Sequence, residues 1–200
     1  QMNKAYSFLL ILSVILVYLV IAAGATVRMT GSGMGCPDWP KCFGYLIPPT
    51  NEKDVFWKSN FNYKKGVMIL RNEKFYSSKI DFLSSNEFIS SNWLEYTKHD
   101  YNEFSVMNTW FEFINRFIGA IAGLSTLIMF LFSFNFLKTK PVVTIMSFIV
   151  VLSMLFQAWL GKLVVDSNLS PYKITVHMLM AIVILSLIIF IYKESDVRKN

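Results

Sequence analysis

The sequence predicts an all-α membrane protein: a bundle of four transmembrane helices with a long external loop that contains a small, hairpin-rich cap. Of its 200 residues, 54% are hydrophobic, and the mean hydropathy is +0.45, which is too apolar for an ordinary soluble domain. Four apolar runs each have roughly 20 residues or more, enough to cross a hydrocarbon core of about 30 Å. These runs are Ala5–Val27, Trp110–Leu137, Val142–Val165 and Tyr172–Tyr192.

The distribution of basic residues predicts the orientation. The short flanks that carry Lys or Arg all fall on one side of the bundle, so the positive-inside rule places both termini in the cytoplasm and the long loop outside. We therefore expect an integral protein of a bacterial inner membrane. The positive net charge reflects these flanks and contact with the lipid bilayer, so no nucleic-acid partner is predicted. The basic flanking residues are Lys4, Lys138, Lys140, Lys193, Arg198 and Lys199.

The first span is too long for a signal peptide, and no small-residue cleavage site ends it. Within the external loop, Val67–Leu70 and Lys74–Ser77 are separated by three residues and predict a short β-hairpin. The frequent aromatic residues of the loop either form a small core or rest on the bilayer interface. The expected domains are a first transmembrane helix (1–27), an external cap loop (28–105), and helices two to four with a cytoplasmic tail (106–200).

The exit of the first span, Gly24–Gly44, is the most informative stretch, with the sequence GATVRMTGSGMGCPDWPKCFG. Its cysteines, Cys36 and Cys42, are the only two in the chain. Because the loop faces an oxidising compartment, we expect them to form a disulfide, either structural or redox-active. A zinc site would need more ligands than this stretch supplies.

A few polar residues interrupt the apolar spans, and ionisable groups in a membrane point to function. Spacings of three and four place those of the second span on one helix face. With the remaining polar residues they are expected to gather at a similar depth near the external face, as in cofactor sites of helix bundles. The residues are Arg28, Glu112, Asn115, Arg116, Gln157 and His177.

The two histidines differ in context. His177 lies inside the fourth span among convergent polar groups, which favours a ligand or catalytic role over that of a satisfied core residue. His99 lies in the loop, where a surface residue is the simpler interpretation.

Other polar residues also have structural interpretations. Glu112 and Arg116 have the i,i+4 spacing of a salt bridge that neutralises itself. Gln157 is equally suited to hydrogen-bond two helices together. Arg28 and Lys162 are suited to anchor the chain at the interface, and for Lys162 this is the better interpretation.

Together these residues resemble the haem A synthase family. The resemblance rests on the Gly24–Gly44 loop, on EFINR from Glu112 to Arg116, on QAWLG from Gln157 to Gly161, and on Val176-His177. The order of these motifs agrees across nearly the whole chain. The glycine-rich loop with its two cysteines is specific, and the other motifs gain weight from their order.

The resemblance implies an oxidoreductase that oxidises the C8 methyl of haem O to the formyl of haem A, for cytochrome oxidase assembly. It implies haem B, haem O or haem A as cofactor, and cytochrome oxidase or haem O synthase as protein partners. By motif position, Glu112 is the catalytic carboxylate and His177 the ligand of the haem iron. Arg28 or Arg116 would pair with a propionate, and both arginines, Asn115 and Gln157 complete the expected cofactor-binding set.

Two departures from the family pattern stand out. Asn115 occupies a position where the family usually has a histidine, and an amide is a poor iron ligand; His99 would compensate only if the loop folded inward. Family members usually have two four-helix halves, whereas this chain has one. The second half is expected as a missing segment, a separate chain or a second copy.

Two other functions remain open at this stage. A haem-binding or oxidase-assembly module without catalysis is favoured by the departure at Asn115. A thiol oxidoreductase that uses quinone is disfavoured, because such electron relays usually need more than one cysteine pair.

Overall fold

The computed structural model of the chain describes residues 4–97 and 104–195. In this part of the chain, four α-helices have the length and apolar composition to cross a membrane, which confirms the four-helix prediction. They are α1 (Lys4–Met29), α2 (Val106–Ser133), α3 (Pro141–Asp166) and α4 (Pro171–Ser195). Short 3₁₀ turns occur at Ser32–Met34, Glu52–Asp54, Ser90–Asn92 and Phe134–Phe136.

The chain divides into two compact units. The first, here called the helical unit, comprises residues 1–25 and 114–200. The second, here called the cap unit, comprises residues 26–113. Helix α1 therefore ends in the cap unit, and α2 begins there.

The core of the helical unit is built from apolar side chains of all four helices. On α4, for example, Ile184, Ile188 and Ile191 are buried at spacings of four and three residues, which places them on one helix face. The other buried members are Tyr6, Leu10, Val17, Ala122, Met129, Phe136, Val143 and Val150. The connection from α3 to α4 is tight: Asn168 and Leu169 have φ values of 54° and 59° and reverse the chain before Pro171 starts α4.

Buried hydroxyl groups of the helical unit pair between helices. Tyr6 Oη lies 3.0 Å from Ser147 Oγ, joining α1 to α3. Ser13 Oγ lies 2.8 Å from Ser125 Oγ, joining α1 to α2. A buried hydroxyl without a partner is unfavourable in an apolar environment, so these pairs specify which helix faces meet.

The described part of the cap unit contains two small antiparallel sheets. Strand β1 (Asn62–Tyr63) pairs with β4 (Phe82–Leu83). Strands β2 (Met68–Arg71), β3 (Lys74–Ser78) and β5 (Trp93–Glu95) form the second sheet in the order β2-β3-β5.

Strands β2 and β3 form the predicted hairpin, with a shorter turn than the sequence pattern predicts. Arg71 pairs with Lys74, so the turn has two residues, Asn72 and Glu73, with φ values of 51° and 60°. Two positive φ values are typical of a type I′ turn, whose twist matches that of the flanking strands. Arg71 therefore belongs to β2 and not to the loop.

Aromatic side chains fill the core of the cap. The ring of Trp93 packs edge-on against Tyr63 at 5.0 Å between centroids and stacks on Phe88 at 5.9 Å. Phe75 is also buried, whereas Phe56 is 46% exposed. Most of the aromatic enrichment of this loop thus serves packing.

The turn between β1 and β2 is held by Asp81. Its Oδ1 accepts the main-chain N–H of Lys65 at 2.7 Å, and its Oδ2 accepts from Lys64 Nζ at 3.0 Å. These two interactions hold the pKa of the Asp81 carboxyl below its usual value, and the hydrogen bond from Lys65 has the larger effect. Elsewhere in the cap, burial raises the pKa of Tyr63, whose hydroxyl accepts the N–H of Lys58.

Candidate functional site

The α3–α4 hairpin brings together two of the predicted site residues, Gln157 and His177. Gln157 Nε2 donates to the main-chain oxygen of His177 at 3.0 Å. One turn along α3, a Cβ added at Gly161 would lie 3.4 Å from Cε1 and 3.9 Å from Nε2 of His177. The half-buried imidazole therefore lies against α3 at a residue that has no side chain.

Three buried polar atoms of the helical unit have no hydrogen-bond partner among the described residues. They are Asn115 Oδ1, Gln157 Oε1 and His177 Nδ1. Buried polar atoms are nearly always paired, and the need is strongest in a membrane, where no bulk water competes. All three belong to residues that the sequence singles out, so this part of the bundle has the polar atoms that a ligand would engage.

Asn115 packs against α1. A Cβ added at Gly24 would lie 3.8 Å from Asn115 Oδ1 and 3.9 Å from its Nδ2, which are ordinary contact distances. The amide of Asn115 on α2 therefore lies within van der Waals range of the Cβ position of residue 24 on α1. The glycines at 24 and 161 both belong to the motifs noted in the sequence, but their contacts with polar side chains emerge only in the structure.

The basic candidates lie at different places. Arg28 is in the last turn of α1 and is exposed, within the cap unit. Arg116 is half-buried on α2, within the helical unit. Lys162 is exposed and forms a 3.4 Å ion pair with Asp166 one turn along α3. His99 lies outside the described residues.

In the cap unit, Glu112 and the cysteine loop are joined directly. Cys36 and Cys42 form a disulfide, which confirms the predicted pairing. Glu112 is only 4% exposed, and its Oε2 accepts the main-chain N–H of Cys36 at 2.8 Å. The carboxylate proposed for catalysis therefore also fastens the disulfide loop to the start of α2.

The glycine loop approaches α2 very closely. A Cβ added at Gly35 would lie 2.3 Å from the main-chain oxygen of Asn108 and 2.7 Å from the nitrogen of Thr109. Thr109 Oγ1 donates to Gly35 O at 2.9 Å, and Ser32 Oγ donates to Asn108 Oδ1 at 3.1 Å. Glycine is therefore required at position 35 for lack of space, and the loop is fixed by polar contacts on both sides of it.

Two further residues that the sequence analysis did not single out hold the disulfide loop. Asp38 Oδ2 accepts the N–H of Gly44 at 2.9 Å and joins the ring to the residue two positions after Cys42. Tyr96 donates its hydroxyl hydrogen to Pro37 O at 2.7 Å, which ties the ring to the residue after β5. Nothing local in the sequence marked Tyr96 for this contact.

The donor set suits a prosthetic group better than a bare metal ion. Within residues 4–97 and 104–195, no group of three or more His, Cys, Asp or Glu residues converges to hold a metal. A haem iron already has four porphyrin nitrogens, so a single imidazole is a sufficient protein ligand. His177, with an unpaired ring nitrogen and a glycine beside the ring, fits that requirement.

Two surface grooves lie elsewhere. One, of about 460 Å³, is lined by the hairpin turn and by Phe56, Trp57 and Leu70. The other, of about 200 Å³, lies between α1 and α4 and is lined by Ile11, Ile15 and Ile189, among others. Neither of these two grooves includes a predicted site residue.

Four helices that are long and apolar enough to cross a membrane, together with a cap unit that contains a disulfide, define a polytopic membrane protein. The model of the cytochrome oxidase assembly protein family matches residues 7–99 and 90–199, which together cover nearly the whole chain. The chain belongs to this family and is an integral membrane protein.

Curated relatives support the same family. The chain is 25% identical over 193 residues to a protein named Heme A synthase from Shewanella oneidensis, covering 96% of the chain and 46% of that protein. It is 28% identical to the Heme A synthase of Ehrlichia canis (86% and 44% covered) and 33% identical to that of Bacillus licheniformis (64% and 39% covered). The chain thus spans less than half the length of these relatives. No solved structure matches it.

Proposed function

We propose that the chain is one four-helix half of a haem A synthase-like membrane oxidoreductase, which converts haem O to haem A for cytochrome oxidase biogenesis. Membership of the family and the names of the relatives support this function. The observation that carries it at the level of the site is the half-buried His177, whose Nδ1 has no partner among the described residues and whose ring lies against Gly161.

The proposed reaction oxidises the C8 methyl of haem O to a formyl group. The balanced half-reaction is R–CH3 + H2O → R–CHO + 4 H+ + 4 e−, and an acceptor of the dioxygen class takes up the electrons. Haem supplies the redox-active iron for this chemistry, and the protein supplies binding, orientation and proton transfer.

The chain's own residues have distinct proposed roles. His177 would bind the iron of haem B or of the substrate haem through one ring nitrogen. Arg28 or Arg116 pairs with a propionate, because a guanidinium matches the geometry of a carboxylate. Glu112 is the proposed catalytic carboxylate that takes up or releases protons, and Asn115 supplies a neutral amide where an imidazole would otherwise bind.

The proposed setting is a bacterial inner membrane, with both termini in the cytoplasm and the cap outside. Because the chain spans under half of its relatives, a second four-helix half would complete the enzyme. That half is the rest of a longer chain, a separate chain or a second copy. Haem O synthase and cytochrome oxidase are the proposed neighbours that deliver substrate and receive product.

A second candidate function is a haem-binding or oxidase-assembly module without catalysis of its own. The observation that favours it is Asn115, whose amide does not replace an imidazole as an iron ligand. Both candidates require haem at His177, and they differ in whether haem A is formed.

The first experiment measures haem type and stoichiometry in the purified chain, by absorption spectrum and by mass after extraction. We expect bound haem, and we expect His177→Ala to lose it. His99→Ala is the matched control, because it removes the only other histidine. A chain without haem, or one that keeps its haem in His177→Ala, would overturn the assignment.

The second experiment separates the two candidates. The chain is expressed, alone and with a second four-helix half, in a bacterium that makes haem O but lacks haem A synthase. Formation of haem A, detected by mass and by the pigment spectrum, supports the oxidoreductase. Bound haem without haem A in either case supports the binding module.

A further inference from the structure

Only one end of the Gln157 side-chain amide is hydrogen-bonded within the described residues. Gln157 Nε2 donates to the main-chain oxygen of residue 177 at 3.0 Å. Within residues 4–97 and 104–195, the other end of the same amide, Oε1, is buried without a donor. His177 Nδ1 is likewise buried without a partner in this part of the chain.

These two unpaired atoms are chemically complementary. An amide oxygen is an acceptor only, and a neutral imidazole carries one N–H, which sits on either ring nitrogen. If the hydrogen is on Nδ1, it needs an acceptor, and the Nε2 lone pair is free for a metal. Iron-bound histidines almost always donate their second ring N–H to such an acceptor.

Gly161 lies against the Cε1–Nε2 edge of the imidazole. A Cβ at residue 161 would lie 3.4 Å from Cε1 and 3.9 Å from Nε2, which is van der Waals contact. Nδ1 is the ring nitrogen that lacks a hydrogen-bond partner among the described residues.

We propose that Gln157 is a positioning residue for His177: its Oε1 accepts the Nδ1–H of the imidazole when haem is bound, which fixes the tautomer and leaves Nε2 for the iron. This inference rests on the proposed haem site at His177. The amide is already hydrogen-bonded to the main chain of residue 177, so the side chain of Gln157 lies at the residue of α4 that carries the imidazole. Gln157 then joins α3 to α4 and orients the iron ligand at the same time.

Interhelical bonding alone is the competing role of Gln157, and it makes a different prediction. A residue that only joins helices changes stability when replaced, but leaves the electronic properties of the bound haem unchanged. An acceptor for the ring N–H changes the basicity of the imidazole, and with it the iron–histidine bond and the reduction potential. The two roles are therefore separated by spectroscopy and not by stability.

The test uses the full chain in detergent, loaded with haem, with Gln157→Leu and Gln157→Glu as variants. The measurements are haem affinity, the reduction potential and the iron–histidine stretching frequency of the ferrous protein. We expect Gln157→Leu to bind haem about 10- to 100-fold more weakly, with a raised potential and a lowered stretching frequency. Gln157→Glu keeps an acceptor, so it should retain haem and shift neither quantity in the direction of the leucine variant.

Ser186→Ala is the matched control, since it removes an exposed polar side chain from α4 that bonds only within its own helix. It should leave all three quantities unchanged. If Gln157→Leu does not fold, Gln157→Asn replaces it, because its shorter amide should weaken the iron–histidine bond in the same direction.

The outcomes distinguish this inference from the proposed function. If His177→Ala loses the haem, but every Gln157 variant has the same reduction potential and stretching frequency as the starting chain, the positioning role is overturned and the haem site stands. A starting chain that binds no haem overturns both. A raised potential and a lowered stretching frequency in Gln157→Leu, without these shifts in Gln157→Glu or in Ser186→Ala, support the positioning role.

Discussion

The contact between Glu112 and the disulfide loop gives the sharpest prediction from the cap. The N–H of Cys36 donates to Glu112 Oε2 at 2.8 Å, and the carboxylate is 4% exposed. Glu112→Gln keeps an oxygen acceptor at this position and should destabilise the loop by about 1 kcal/mol. Glu112→Leu takes this acceptor away from a buried N–H and should destabilise it by about 2 kcal/mol.

The disulfide itself reports on this contact. Cys36 and Cys42 are 0% and 1% exposed, so a reducing agent reaches the sulfurs only when the loop opens. When opening is fast relative to reduction, the rate follows the population of the open form. The two free-energy changes then correspond to reduction about fivefold faster in Glu112→Gln and about 30-fold faster in Glu112→Leu.

The assay is the rate of thiol appearance under dithiothreitol, followed by alkylation and mass spectrometry. The chain has only two cysteines, so every labelled thiol reports this disulfide. Glu87→Gln and Glu87→Leu are matched controls at an exposed glutamate of the cap and should leave the rate unchanged. Equal rates in all four variants and in the unmodified chain would refute the fastening role. Haem A formation in the same Glu112→Gln protein separates the roles: retained activity assigns Glu112 to fastening, and lost activity with an intact loop assigns it to catalysis.

Two further predictions concern the cap. Gly35→Ala forces a backbone displacement, because its Cβ would lie 2.3 Å from a main-chain oxygen of α2. If this destabilises the closed loop by about 1–3 kcal/mol, disulfide reduction should accelerate roughly 5- to 150-fold. Gly119→Ala is the control, because a Cβ at residue 119 has open space around it and should not change the rate. Asp81 has a lowered pKa in the folded cap, so its contribution to stability is complete above the pKa of the unfolded aspartate, about 4, and is lost as the pH falls through the lower folded value. Thermal unfolding followed by tryptophan fluorescence should therefore lose stability over that acidic range, and Asp81→Asn should flatten this dependence; an unchanged pH profile would contradict it.

The helices were predictable from sequence because a membrane span depends on hydropathy summed over about 20 residues. Their bounds depend on single contacts. The apolar run predicts a second span from Trp110, whereas α2 begins at Val106. The four additional residues include Asn108 and Thr109, which look like loop residues in the sequence. Their side chains hydrogen-bond to the glycine loop, and the helix continues through both residues.

The hairpin and the disulfide were also predictable, because each depends on residues close together in the chain. The contact of Glu112 with Cys36 spans 76 residues, and that of Tyr96 with Pro37 spans 59. No periodicity links such positions. The Gly24–Gly44 loop identified the family, but its attachment to α2 required the three-dimensional structure.

The helical unit contains two sets of buried polar groups that differ in whether they are paired. Near the start of α1, hydroxyl groups are paired between helices, as in Tyr6 with Ser147. Polar atoms of Asn115 on α2, Gln157 on α3 and His177 on α4 are instead buried without partners in the described structure. The bundle thus pairs its polar atoms where only packing is required. Within the helical unit, the unpaired atoms belong to residues of the sequence motifs, which is the arrangement that a ligand with polar groups of its own requires.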